Sequence, residues 1–203
     1  MMSSDYTEEQ LKTNPAQFIE QQIKELARTS PGNRLPFEKD YSIFDEPLVR
    51  FADGSDPLFA EYKAVIDPAH LMPREALAQT YNKNPEDIPA PLSVISWILP
   101  IAEKTRKSNR NQTLVPSRLW AYTYYYGEKF NVALREYVVK LLTEMGYLAA
   151  APVMQPYFKT GTNEKGRYSN WSERHIAYAA GQGTFSLSDG FITERGAPTA
   201  VAV

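Results

Sequence analysis

The chain has no cysteine and only two histidines among its 203 residues. The first absence excludes disulfides, a cysteine nucleophile, thiolate-bound zinc and an iron–sulfur cluster held by cysteines of this chain. The second leaves little from which to build an imidazole metal centre. His70 has no carboxylate or second histidine at ligand spacing and reads as structural, so no metal site is expected. No apolar run approaches the ~20 residues that span a bilayer. The opening MMSSDYTEEQ lacks the basic and apolar regions of a signal peptide. Charge of neither sign is in excess, and a net −2 gives no reason to expect nucleic acid or a membrane as partner. These readings predict a cytoplasmic chain. What is present is 43% hydrophobic and 23% charged residues, ordinary for one domain with a buried core.

Along the chain, the first 13 residues read as mobile, and Asn14-Pro15 reads as an N-cap followed by proline at the first helical position. Ile19, Ile23 and Leu26 fall on one face of that helix, which Ser30-Pro31-Gly32-Asn33 should end. Residues 35–51, punctuated by Pro36 and Pro47, predict extended chain with one short strand at most. Further helices are expected after Asp56-Pro57, with Phe59, Tyr62 and Ile66 buried, and from Pro73, with Ala76, Leu77 and Thr80. Residues 82–91 read as a proline-rich connector. Leu92 to Leu99 is apolar nearly throughout and predicts a central strand covered on both faces.

Four cations follow, Lys104, Arg106, Lys107 and Arg110, either an anion clamp or, the preferred reading, a solvated helix face. The aromatic run Trp120, Tyr122, Tyr124, Tyr125 and Tyr126 suits a cofactor cleft or a core equally. Phe130, Leu134, Val138, Leu141, Leu142 and Met145 define an amphipathic helix closed by Gly146. Tyr147 to Val153 predicts a second buried strand, and Gln155 to Tyr168 a long loop. Strand, helices, strand predicts a crossover, hence an α/β layered sandwich of one domain over 31–203 behind a helical N-terminal extension.

The stretch around which the rest is organised is SNWSERHIAYAAGQGTFSLSDGFITER, Ser169 to Arg195. Six of the ten glycines lie at or after Gly161, where unusual backbone angles or close approaches are most needed. Asn170 with Glu173 three residues on reads as a capping box, and the helix breaks on Gly181-Gln182-Gly183. On pattern alone a C-cap followed by a hairpin is favoured over a wall for a flat or phosphate-bearing ligand.

This run, S-x-W-S-E-R-H-x-A-Y-A-A-G-x-G-T-F-x-L-S-x-G, resembles a motif of iron–sulfur proteins related to epoxyqueuosine reductase. Those proteins in turn resemble the cobalamin-dependent reductive dehalogenases. The resemblance extends over residues 31–196 and includes D-E-P-L-V-x-F-A-D-G at Asp45 to Gly54. It implies a nitroreductase-like, cobalamin-binding fold, with an iron–sulfur module expected beyond Val203 in a longer chain or lost from a cluster-free relative. It implies cobalamin as cofactor, approached through the loop Gly181 to Ser188, with flavin as the alternative and an iron–sulfur partner as electron donor.

The implied cofactor contacts are Ser172, Arg174, Gly181, Gly183, Thr184, Phe185 and Ser188. The candidate catalytic residues are Glu128, His175 and Tyr178. His175, Tyr178, Ala179 and Gln182 share a helical face. There are departures from the family pattern. Lys129 stands where a proton-donating acid is found in a G-R-D-Y-H run, leaving Glu128, one position earlier, as substitute or as a charge stabilising a helix N-terminus. Gln182 replaces an apolar residue and Ser186 a glycine. These departures keep open a relative that binds a small molecule or a partner without redox chemistry.

Overall fold

The computed structural model describes residues 13–196 and 200–202. The expected mobility of the N-terminus therefore lies, but for Thr13, outside the described residues. The helices are α1 (Pro15–Thr29), α2 (Leu58–Val65), α3 (Pro73–Tyr81), α4 (Glu103–Arg110), α5 (Arg118–Glu144) and α6 (Glu173–Ala179). The strands are β1 (Arg34–Leu35), β2 (Glu38–Ser42), β3 (Leu48–Asp53), β4 (Ser93–Leu99), β5 (Thr160–Asn163), β6 (Gly166–Ser169), β7 (Gly183–Phe185), β8 (Phe191–Thr193) and β9 (Ala200–Ala202). The fold is mixed α/β. No helix among the described residues is long and apolar enough to cross a membrane.

The apolar run becomes β4, the middle strand of a three-stranded sheet ordered β3-β4-β9. Side chains alternate across a strand, so Trp97 and Leu99 enter one core with Phe18 and Ile23 of α1 and Phe130 and Leu134 of α5. Val94 points the other way, to Phe59 and Tyr62 of α2 and Ile176 of α6, and Ile98 meets Ala177 and Phe191. Both faces are thus covered, as the sequence predicts.

The predicted crossover is not formed. Every strand pair is antiparallel, and β4 pairs with β3, which arises in a region expected to carry one short strand at most. Residues 147–153 form no strand. The Tyr81 hydroxyl takes up that backbone instead, donating to the Ala149 carbonyl at 2.9 Å and accepting from its N–H at 3.0 Å. Leu148 and Ala150 pack on Leu77 and Ala78 of α3. The predicted long loop contains the hairpin β5–β6, tied to the end of α2 by Asn163 Nδ2, which donates to the Ile66 carbonyl at 3.0 Å.

Helix ends follow local chemistry. Asn14 accepts from the Gln17 N–H, and Ser117 accepts from the Trp120 N–H at 3.1 Å. The 27-residue α5 closes on Gly146 at φ +86°, with the Gly146 N–H on the Thr143 carbonyl and the Tyr147 N–H on the Leu142 carbonyl. This paired pattern satisfies carbonyls that a helix end leaves open. A Cβ on Gly127 would meet the Phe44 ring at 2.6 Å, so glycine there lets α5 lie against the β2–β3 connection. On α4, Lys104 pairs with Glu38 at 3.2 Å and Lys107 with Glu103 at 2.9 Å, as a solvated helix face does. Tyr124 and Tyr125 are exposed, while Tyr122 and Tyr126 gather around Phe37 at the core's edge.

Candidate functional site

Trp171 to His175, the start of α6, borders a groove of about 670 Å3 against Glu128 and Arg135 of α5, Arg167 and Tyr168 of β6, and Gly190 and Phe191. That size lies within the ordinary range for a small-molecule site. Glu128, Ser172, Arg174 and His175, four of the residues singled out in the sequence, open on this one groove. Tyr178 does not border it; the residue is 43% exposed, its ring 6.0 Å from that of Phe185. Gly181 and Gly183 border a different depression with Leu48 and Arg50. Thr184 and Ser188 are exposed on the β7–β8 hairpin. The proposed contacts therefore divide between two places.

The groove is held together by Arg135, a residue the sequence reading passed over. Its side chain is 4% exposed. Nη1 donates to Glu128 at 3.1 Å, and Nη2 donates to both oxygens of Glu173, at 3.0 and 3.2 Å. A buried guanidinium needs such partners, and the pairing joins α5 to α6. A signal was available: Asn131, Arg135, Val138 and Leu142 form one stripe at i, i+4, i+7 and i+11, and a cation inside an apolar stripe calls for an acid opposite.

The capping box is not formed. Glu173 turns to Arg135, and the buried Asn170 accepts from the Lys159 N–H at 2.8 Å and donates to the Tyr157 carbonyl at 2.9 Å, stapling the chain before β5 to that before α6. Glu128 lies well inside α5, which begins at Arg118, so it does not stabilise the N-terminus of that helix. Lys129 Nζ sits 4.2 Å from the centre of the Tyr125 ring. The shared helical face also divides. His175 borders the groove, whereas Gln182 is buried behind β4, accepting from Ser96 Oγ at 2.6 Å and donating to the Leu48 and Ser96 carbonyls.

The two histidines meet here. Ser172 Oγ lies 2.8 Å from His175 Nδ1, and the Ser172 N–H donates to His70 Nε2 at 3.1 Å. Accepting at Nε2 places the proton of neutral His70 on Nδ1. Burial pushes His70 down to about 4, with the charge of His175 adding to it. Burial, reinforced by the Arg174 charge, pushes His175 to about 4 as well. Both are neutral at pH 7, so each ring there keeps one N–H donor and one acceptor nitrogen and is a weak base. Tyr62 donates to the His175 carbonyl at 2.7 Å, and burial raises its phenol well above the usual range. The His175 ring lies between Tyr62 and Phe185, with centroids at 5.2 and 4.6 Å.

The fit of a flat cofactor divides by place. On the loop, a Cβ at Gly183 would meet the Ile192 carbonyl at 2.2 Å, so that glycine serves the hairpin's own pairing. Arg174 is held by Asp189 at 3.0 Å. At the groove, by contrast, Arg167 of β6 is exposed and offers guanidinium donors. They suit a ligand whose rim is rich in carbonyl oxygens, as the amide-fringed corrinoid and the flavin ring are. Arg135 Nε and Trp171 Nε1, on residues shared with a smaller neighbouring cavity, are buried donors without an acceptor among the described residues. Among the described residues, no group of three or more histidines, aspartates or glutamates is arranged to hold a metal ion. Compared with family models, curated proteins and solved structures, the chain finds no match.

Proposed function

We propose that this chain is the cofactor-binding module of a reductase-type protein, of the kind its motif resembles, with the groove between α5, α6 and β6 as the binding site. The observation that carries the reading is convergence: Glu128 and His175, far apart in sequence, border one groove together with the exposed Arg167. Cobalamin is the first candidate and flavin the second. Arg167 would hold the acceptor-rich rim, and Ser172 and His175 would line its edge. When bound, such a cofactor would supply the electron-transfer chemistry, with an iron–sulfur partner as the electron donor.

The chain's own residues orient the ligand and manage protons. Ser172 fixes the His175 ring through Nδ1. Neutral His175 offers a bound ligand the hydrogen-bonding capacity of its remaining ring nitrogen. Glu128, whose side chain is 58% exposed, is the acid with room to meet a substrate. A layered nitroreductase-like architecture belongs to the same proposal.

A second reading, binding without redox chemistry, draws on a different observation: Arg174 and Glu128 already have in-chain partners, and His175 is an uncharged, weakly basic ring at neutral pH. An absorption titration of the purified chain with cob(II)alamin separates the two. A saturable spectral shift at micromolar concentrations is expected. A folded protein that leaves the spectrum unchanged would overturn the cobalamin proposal, and a yellow preparation would move it to flavin.

A further inference from the structure

Apart from the groove, α3, β4 and α5 border a smaller, partly open cavity of about 110 Å3, lined by Leu77, Val94, Val138, Leu142 and Leu148. Aliphatic cavities accept small apolar guests. This one differs in two members of its wall. Arg135 and Trp171 border it as well as the groove. Both are at most 4% exposed. Arg135 Nε and Trp171 Nε1 are donors without an acceptor among the described residues. Buried N–H groups left unpaired are costly and rare, so two beside one apolar space point to what fills it. The occupant must bring an acceptor on an apolar body.

Its charge is also constrained. The guanidinium already carries Glu128 on Nη1 and Glu173 on Nη2. A third anion would face their repulsion, whereas a neutral oxygen would not. We propose that the cavity binds a small, uncharged aliphatic carbonyl compound. Its oxygen accepts from Arg135 Nε and Trp171 Nε1, and its alkyl part lies against Leu77, Val138 and Leu142. The inference holds whichever cofactor the groove takes.

The test is a proton–nitrogen NMR titration of the full chain with 2-pentanone, with pentanoate and saturating n-pentane as the charged and acceptor-free comparisons. Pentanone is expected to move the Trp171 indole N–H and the Arg135 Nε–H saturably, at millimolar concentrations given so few heavy atoms. Pentanoate should bind roughly tenfold more weakly, because of the like charges beside it. No saturable shift with pentanone, or equal binding of pentanone and pentanoate or of pentanone and pentane, would overturn the proposal. Leu142→Trp fills the cavity and should abolish the shift while leaving the cobalamin titration unchanged. The comparison of the three compounds decides the matter in the unaltered chain.

Discussion

On one face of β4, Trp97 and Leu99 meet Phe18, Phe130 and Leu134 in an apolar core crossed by several buried polar contacts. One of them is the Trp97 indole N–H donating to Asn131 Oδ1 at 3.2 Å. On the other face, Ser96 is bridged by Gln182, and beyond it lie His70, Trp171, Ser172 and His175. The first face is filled by hydrocarbon and tolerates little loss of volume. The second is ordered by single hydrogen bonds, keeps two histidines neutral, and borders the groove. The same strand thus has a side that secures the fold and a side whose polar groups remain available to a ligand. A binding site need not lie far from a core; it needs a face where polarity, rather than volume, fixes the geometry.

The contrast is broken most directly by Phe130→Ala. It should cost about 3–5 kcal/mol in urea unfolding, the range for a buried aromatic truncated in a packed core. A loss below about 1 kcal/mol would mean that this face is not the one securing the fold. Acid should act on the other face. His70 and His175 protonate near pH 4 when folded and near 6.5 when unfolded. Between those values the unfolded chain binds more protons, so stability present at pH 7 falls as pH drops from 6.5 toward 4 and levels below. The slope for each histidine reaches about 1.4 kcal/mol per pH unit. Comparing the wild-type profile with that of His70→Gln isolates one contribution, since the carboxylates are common to both; identical slopes would contradict a neutral His70. The smallest effect is expected from Gln182→Leu, which restores the apolar residue of the resembled family. It leaves Ser96 Oγ and the Leu48 carbonyl unpaired and should cost about 1–2 kcal/mol, read as a shift in unfolding midpoint with unchanged slope. A stabilised variant would show that the bridge between β3 and β4 is dispensable.

Elements governed by their own residues were legible in the sequence. Asn14-Pro15, Pro73 and Gly146 announce helix ends through groups that act within a turn, and β4 announces itself by hydrophobicity. Phe191-Ile192-Thr193 and the break at Gly181 likewise follow from local pattern. What was not legible depended on distant partners. Residues 147–153 have strand-like composition, but a single phenol from α3 takes the hydrogen bonds a neighbouring strand would need. Asn170 looks like a cap because its spacing to Glu173 is right; the outcome was decided by Lys159 and Arg135, which no local window includes. In the site, residue identity pointed to Ser172, Arg174 and His175, while Arg135 was missed because its acids come from two different helices.

The contact of Gly127 with Phe44 has a consequence for how the groove can respond to a ligand. Sliding α5 by one turn in either direction would bring Thr123 or Asn131 over the ring in place of a missing side chain. The glycine therefore works as a detent, permitting a single axial setting of a helix 27 residues long. Glu128 and Arg135 ride on that helix and stay where it is parked. Any adjustment to a guest then falls to the opposite bank, where the β5–β6 and β7–β8 hairpins are two-stranded ribbons. The groove resembles a vice with one fixed jaw.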